Sequence, residues 1–132
     1  MPKILFVCTG NTCRSPMAQA LWQRSHPGDA VQSAGLAASP GQPAAAHSRT
    51  LFPELGEHSS QQLSAALVQW ADHIYCMTGS HRRHLLEGHP RAADKTLLVR
   101  PDGDIQDPYG GSLEDYRACV RDLEATQLCE QD

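Results

Sequence analysis

At 132 residues the chain is long enough to bury a core and short enough to be read as one folding unit over residues 1–132. Eleven Lys and Arg against fifteen Asp and Glu leave a formal charge of −4, which argues against a nucleic-acid binder that works by neutralising phosphates. No stretch approaches the roughly 18 apolar residues of a membrane span, and Met1-Pro2-Lys3 runs straight into apolar Ile4 with no signal-peptide pattern. A cytoplasmic protein with neither nucleic acid nor membrane as partner is expected.

Lys3–Cys8 reads as a buried strand, because Ile4-Leu5-Phe6-Val7 is a continuous apolar run. A short polar loop follows, and Pro16 fits the first position of a helix, where a missing N–H costs nothing. That helix is predicted over Pro16–Ser25 and is stopped by Pro27-Gly28. Ala30–Ser33 makes a second strand, 34–43 a loop with two Pro and two Gly, and Ala44–Leu51 a helix interrupted by Pro53. A short helix over Ser64–Trp70 turns Leu67 and Val68 inward. Asp72–Met77 is the third strand, His81–Glu87 a helix and Thr96–Val99 the fourth strand. Arg100–Gly111 is a long loop rich in Asp, Pro and Gly. Ser112–Leu128 closes the chain as an amphipathic helix, with Ser112 as N-cap, Asp115 in the capping-box position and Leu113, Tyr116, Val120 and Leu123 on one stripe. Strands alternating with helices imply an α/β fold with a four-stranded parallel sheet covered on both faces. Ligands bind such sheets beyond the carboxyl ends of the strands, and Cys8 falls at such an end.

The loop after the first strand carries the chemistry. Cys8-Thr9-Gly10-Asn11-Thr12-Cys13-Arg14-Ser15 separates a cysteine from an arginine by five residues and leads into a helix start. Loop N–H groups and the helix dipole together favour an anion at that point, and they favour Cys8 as thiolate. Five intervening residues let the chain curl around a tetrahedral anion and bring the planar fork of Arg14 back beside it. Gly10 and Asn11 tolerate the positive φ that inward-pointing amides demand. Cys8 is therefore read as a nucleophile that attacks phosphorus to form a phosphocysteine, later hydrolysed by water. Arg14 binds the equatorial oxygens and carries the charge that spreads over them in the transition state.

Five cysteines, at 8, 13, 76, 119 and 129, form neither a C-x-x-C pair nor a His/Cys metal spacing, so no metal site is expected. The cradle supplies its own positive charge, and nothing calls for an organic cofactor. Cys76 sits in an apolar run and reads as a small core residue. Cys119 and Cys129 sit in a helical tail without evident chemistry. The basic knot His81-Arg82-Arg83-His84 reads as a solvated helix face.

The phosphate-loop motif resembles the signature loop of the low-molecular-weight protein tyrosine phosphatases. Asp107-Pro108-Tyr109-Gly110-Gly111 resembles the general-acid loop of that family and stands in the family's order. Ser33-Ala34-Gly35 and the segment from Ala71 to Met77 are similar to its second and third strand regions, so the likeness spans nearly all of 3–125. It implies a three-layer α/β/α, flavodoxin-like fold, phosphorylated protein substrates, and a monomer. It also implies that Asp107 protonates the leaving group and then helps activate water. Ser15 can cap the first helix, and the resemblance adds a hydroxyl donated to the Cys8 sulfur. Asn11, Ser33 and His58 are similar to residues that brace the phosphate loop through hydrogen bonds; an ordinary surface histidine fits position 58 equally well. Thr9, Gly10, Thr12 and Cys13 complete the loop.

Two positions bear on the leaving group. Tyrosine-directed members of the family usually carry an aliphatic residue where this chain has Thr12, and two adjacent aromatics after Asp-Pro where it has Tyr109 and Gly110. A phenyl phosphate draws much of its binding from apolar walls, whereas a phosphorylated guanidinium can use the hydroxyl of Thr12 and the carboxylate of Asp107. The segment from Gly103 to Ser112, with Thr12, resembles the bacterial protein-arginine phosphatases, a branch of the same family. Phosphoarginine is thus the expected substrate and phosphotyrosine the alternative. Arsenate reduction on a similar loop needs relay cysteines, and residues 79–118 contain none. A non-catalytic phosphate-binding module would have no need of Cys8, Arg14 and an acid together. Cys13 can either form a reversible disulfide with Cys8 that protects the nucleophile, or simply pack behind the loop.

Overall fold

The apolar run after Lys3 becomes the buried centre of a parallel sheet in the computed structural model, which describes residues 2–126. Strand β1 (Lys3–Cys8) pairs with β2 (Ala30–Gly35) on one side and with β3 (His73–Cys76) on the other. Strand β4 (Thr96–Leu98) lies outside β3, giving the order β2-β1-β3-β4. The chain therefore moves outward from β1 in both directions, and the carboxyl end of β1 is the point where the order reverses. Crevices open at such points because the connections before and after leave to opposite sides.

Alternation along β1 sorts the core into two layers. Ile4, Phe6 and Cys8 face one side with Met17, Leu21 and Trp22 of α1 (Arg14–Ser25) and with Tyr116, Cys119 and Leu123 of α5 (Leu113–Glu124). Leu5 and Val7 face the other side with Val68 of α3 (Ala65–Trp70) and Leu85 of α4 (Gly79–Gly88). A strand buried on both faces has no polar alternate positions, which is why it reads as a continuous apolar run. The fold is α/β in three layers, as expected. The short helix α2 (Ala46–Leu51) packs toward α5 and stands beside the crevice.

Helix and strand ends differ from the expected ones in informative ways. Helix α1 begins at Arg14, so Pro16 is its third residue; its N–H is still one of the donors that a first turn leaves unpaired. Strand β2 runs on to Gly35, level with Cys8. Pro53 does more than interrupt, because it opens a 3-10 helix, Pro53–Glu57; Pro90 opens a second, Pro90–Lys95. Helix α5 has the expected capping box, with Ser112 Oγ accepting from Asp115 N and Asp115 Oδ2 accepting from Ser112 N. The helix ends at Glu124 with Ala125 as its C-cap, short of the expected Leu128; positions 127 and 128 and Cys129 lie outside the described residues.

Candidate active site

The loop leaving β1 is held in a ring by one asparagine. Asn11 has φ 60°, the left-handed region that asparagine tolerates better than most side chains, and it is completely buried. Its N–H points at Cys8 Sγ at 3.3 Å, while its carbonyl accepts from His58 Nε2 at 2.8 Å. Its side-chain oxygen accepts from Gln61 N at 2.9 Å, and its Nδ2 donates to Ser15 Oγ at 2.8 Å. Both backbone groups and both ends of the amide are occupied, so the strained conformation is over-determined by its partners. Ser15 Oγ, already accepting from Asn11, lies 2.9 Å from Cys8 Sγ and is left to donate its proton to the sulfur.

Arg14 occupies the first turn of α1 and is almost wholly buried. Its Nη1 donates to the Ile105 carbonyl at 2.9 Å, and its Nη2 stands 3.6 Å from Asp107 Oδ2. The loop that carries Asp107 is fastened at the same place. Ile105 N donates to the Met77 carbonyl at the end of β3, and Asp104 Oδ1 accepts from Gly79 N at the start of α4. Ile105 is thus a buried anchor that ties the Asp107 segment to the sheet and to the arginine. Asp107 itself is exposed, with its carboxylate also accepting from Tyr109 N at 3.0 Å.

Two further contacts come from distant elements. Thr9 Oγ1 is 2.8 Å from Nε2 of His81, which is buried in α4. Burial, aided by the Arg14 charge, pulls the His81 pKa down to about 4. Cys13 Sγ is 3.3 Å from the hydroxyl of Tyr116 in α5, and burial pushes the Cys13 thiol up from its ordinary value. The loop therefore holds two sulfurs in different settings. Cys8 meets donors aimed at it; Cys13 is packed at the base of α1 and held as a thiol. Cys76 and Cys119 are buried in the two core layers, and desolvation pushes each up to about 12.

A cleft of about 800 Å³ opens over the sulfur. Its floor is the loop from Cys8 to Arg14, and Ala44, Ala45 and Arg49 form one wall. Asp107 and Tyr109 form the other, with Tyr109 the sole aromatic lining it and 73% exposed. Thr12 is on the floor; its hydroxyl lies 3.7 Å from Cys13 Sγ and its carbonyl accepts from Ala45 N.

Most of the expected residues converge here, with four differences. Ser33 does not reach the loop: it stands level with Phe6, two residues short of the end of β2, and its hydroxyl donates to Gln19 of α1 at 2.7 Å. Its link to the ring is indirect, through a carbonyl that accepts from the Gln61 side chain. Ser15 is not a helix cap, because α1 starts at Arg14, two residues before the expected Pro16, and Cys13 occupies the N-cap without a side-chain bond. Gly10 does not use the positive φ it permits; Asn11 alone does so within the loop. His81 is not solvated, whereas Arg83 and His84 beside it are. Its place on the buried face is announced by Leu85 four residues later and by the Thr78 cap three residues earlier. Gln61 and Gly35 also support the loop, and neither is marked for that role by a motif in the sequence. A methyl on Gly35 would overlap the Thr9 carbonyl oxygen and crowd Gly10, so the loop lies directly on that glycine.

The model of the family described as low molecular weight phosphotyrosine protein phosphatase matches residues 3–131. The chain belongs to that family. Among its phosphatases, a protein-arginine-phosphatase of Geobacillus stearothermophilus is 45% identical over 131 residues, covering 92% of this chain and 88% of the relative. A protein-arginine-phosphatase of Bacillus subtilis is 38% identical, covering 97% and 95% respectively. The solved arginine phosphatase of Geobacillus stearothermophilus superimposes with a TM-score of 0.89 at 43% identity, over 98% of this chain and 88% of that one.

Proposed function

We propose that this phosphatase removes phosphoryl groups from protein side chains through a phosphocysteine on Cys8, with phosphoarginine as its substrate. In the first step the Cys8 sulfur attacks phosphorus in line and the bond to the leaving group breaks. Asp107 gives that group its proton. Arg14 and the loop amides stabilise the charge on the equatorial oxygens. In the second step Asp107, now a base, takes a proton from water as the water attacks phosphorus. The S–P bond breaks, and the Ser15 hydroxyl steadies the departing thiolate. No metal or organic cofactor enters either step.

The observation that carries the substrate reading is the lining of the cleft. Thr12 and Asp107 present a hydroxyl and a carboxylate beside the nucleophile, and Tyr109 is the one aromatic there. A guanidinium offers several N–H donors to such groups, whereas a phenyl ring loses apolar wall area. The names of the two relatives described above support the same choice. Phosphotyrosine is the second reading, favoured by the exposed ring of Tyr109 and by the family's description. A cysteine relay for arsenate draws no support from Cys76 and Cys119, both buried in packed layers. We further propose that the chain acts as a single-domain monomer in the cytoplasm.

Parallel kinetics on phosphoarginine and phosphotyrosine versions of one peptide test the reading. A higher kcat/KM for phosphoarginine is expected. A clear preference for phosphotyrosine would replace the first reading with the second, and hydrolysis of neither would reject both.

A further inference from the structure

We propose that His81 is a positioning residue for the phosphate loop, acting through its hydrogen bond to Thr9. The inference rests on the loop being the phosphoryl site. Thr9 is the residue immediately after the nucleophile, and three contacts fix it from outside the loop. Its carbonyl accepts from Ala37 N at 3.0 Å, that same carbonyl rests against Gly35, and its hydroxyl meets His81 Nε2 at 2.8 Å. The first two come from Gly35 at the end of β2 and from Ala37 just beyond it, and the third comes from α4. His81 thus holds the loop from α4, an element to which Asn11 and its partners do not belong.

The tautomer follows from burial. His81 Nδ1 is enclosed without a hydrogen-bond partner. An enclosed N–H left unpaired is rarer in folded proteins than an enclosed acceptor left unpaired, so the proton belongs on Nε2 and is donated to Thr9 Oγ1. Thr9 then keeps its own O–H free at the edge of the cleft, which it lines together with Cys8. The charged and titratable groups that act on the ring are Arg14, Asp104, Asp107 and His84. Burial and Arg14 oppose a charge on the imidazole, so it remains neutral through the range in which the enzyme would work. A lysine or arginine here would place a second fixed charge beside Arg14. Histidine supplies a donor without one.

The test is a double-mutant cycle on Thr9→Val and His81→Phe, read by kcat/KM and by competitive inhibition with inorganic phosphate. Removing one neutral hydrogen bond is worth about 0.5–1.5 kcal/mol, or about two- to tenfold. Each single variant should lose phosphate affinity and kcat/KM by about that factor, and the double variant should be no worse than the worse single one. Thr9→Ser and His81→Gln, which keep the hydroxyl and a donor, should restore most of the loss. Nitrogen NMR of the wild-type imidazole should report the proton on Nε2. Additive losses, a harmless Thr9→Val, or a proton on Nδ1 would overturn the proposal. If His81→Phe fails to fold, Thr9→Val against Thr9→Ser decides, because Thr9 is exposed and its substitution leaves the core intact. Wild-type protein that neither turns over nor binds phosphate would instead sink the phosphatase reading.

Discussion

Cys13 and Tyr116 stand 103 positions apart in the chain, yet the thiol of one and the phenol of the other meet at 3.3 Å beneath the phosphate loop. The contact places the second sulfur of the loop against α5, where burial holds it protonated. A thiol so held does not compete with Cys8 for phosphorus. Both cysteines nevertheless line the same cleft. Under peroxide, Cys8 would be oxidised to a sulfenic acid, and the Cys13 thiol would displace water from it to form a disulfide that a reductant reopens. Cys13→Ala should therefore regain a smaller share of its own starting activity than wild type after peroxide followed by dithiothreitol. Equal recovery would leave Cys13 a packing residue only.

Asp107 lies 3.6 Å from Arg14 and faces the cleft on an exposed loop, a position from which a carboxyl can reach a leaving group. Asp107→Asn should lower kcat by about 10²–10⁴ on phosphoarginine peptides, the usual worth of a general acid. The loss should shrink on an aryl phosphate whose phenolate leaves without a proton. A uniform loss across leaving groups would assign Asp107 to binding instead.

Thr12 lies on the floor of the cleft and brings a hydroxyl to it. Thr12→Ile exchanges a hydroxyl for apolar surface and should move the ratio of kcat/KM values toward phosphotyrosine. A ratio that does not move would remove Thr12 as the selector.

Gly35 ends β2 with the loop's backbone lying on it, and no side chain there avoids the Thr9 carbonyl. Because the obstacle is backbone rather than a flexible side chain, Gly35→Ala should cost about 1–3 kcal/mol, the usual range for overpacking. Thermal unfolding should show the loss, and kcat/KM should fall with it as the first residue of the loop is displaced. An unchanged melting temperature would mean that the loop yields at no cost.

What could be read from the sequence followed how local its physical cause was. β1 is legible because a strand buried on both faces must be apolar throughout, and α5 because Ser112 and Asp115 cap it within four residues. The Cys8-to-Arg14 spacing is legible for the same reason: a loop that surrounds an anion is made from its own backbone. The braces are not local. His81 reaches the loop from 72 positions away and Gln61 from 50, and each sits among polar neighbours that give no local sign of a brace. Ser33 failed as a brace because a strand position is fixed by register, and register two residues below Cys8 turns its hydroxyl to Gln19. Residue type announces that a hydrogen bond is possible; only the fold chooses the partner.

The account rests on a covalent phosphoryl transfer to Cys8, and rapid quenching of the enzyme in acid during turnover of an aryl phosphate tests it most directly. Mass analysis of the quenched chain should find one phosphoryl group, mapped to Cys8, present during turnover and gone once substrate is exhausted. A chain that stays unmodified at every quench time, together with hydrolysis that survives Cys8→Ser, would contradict it.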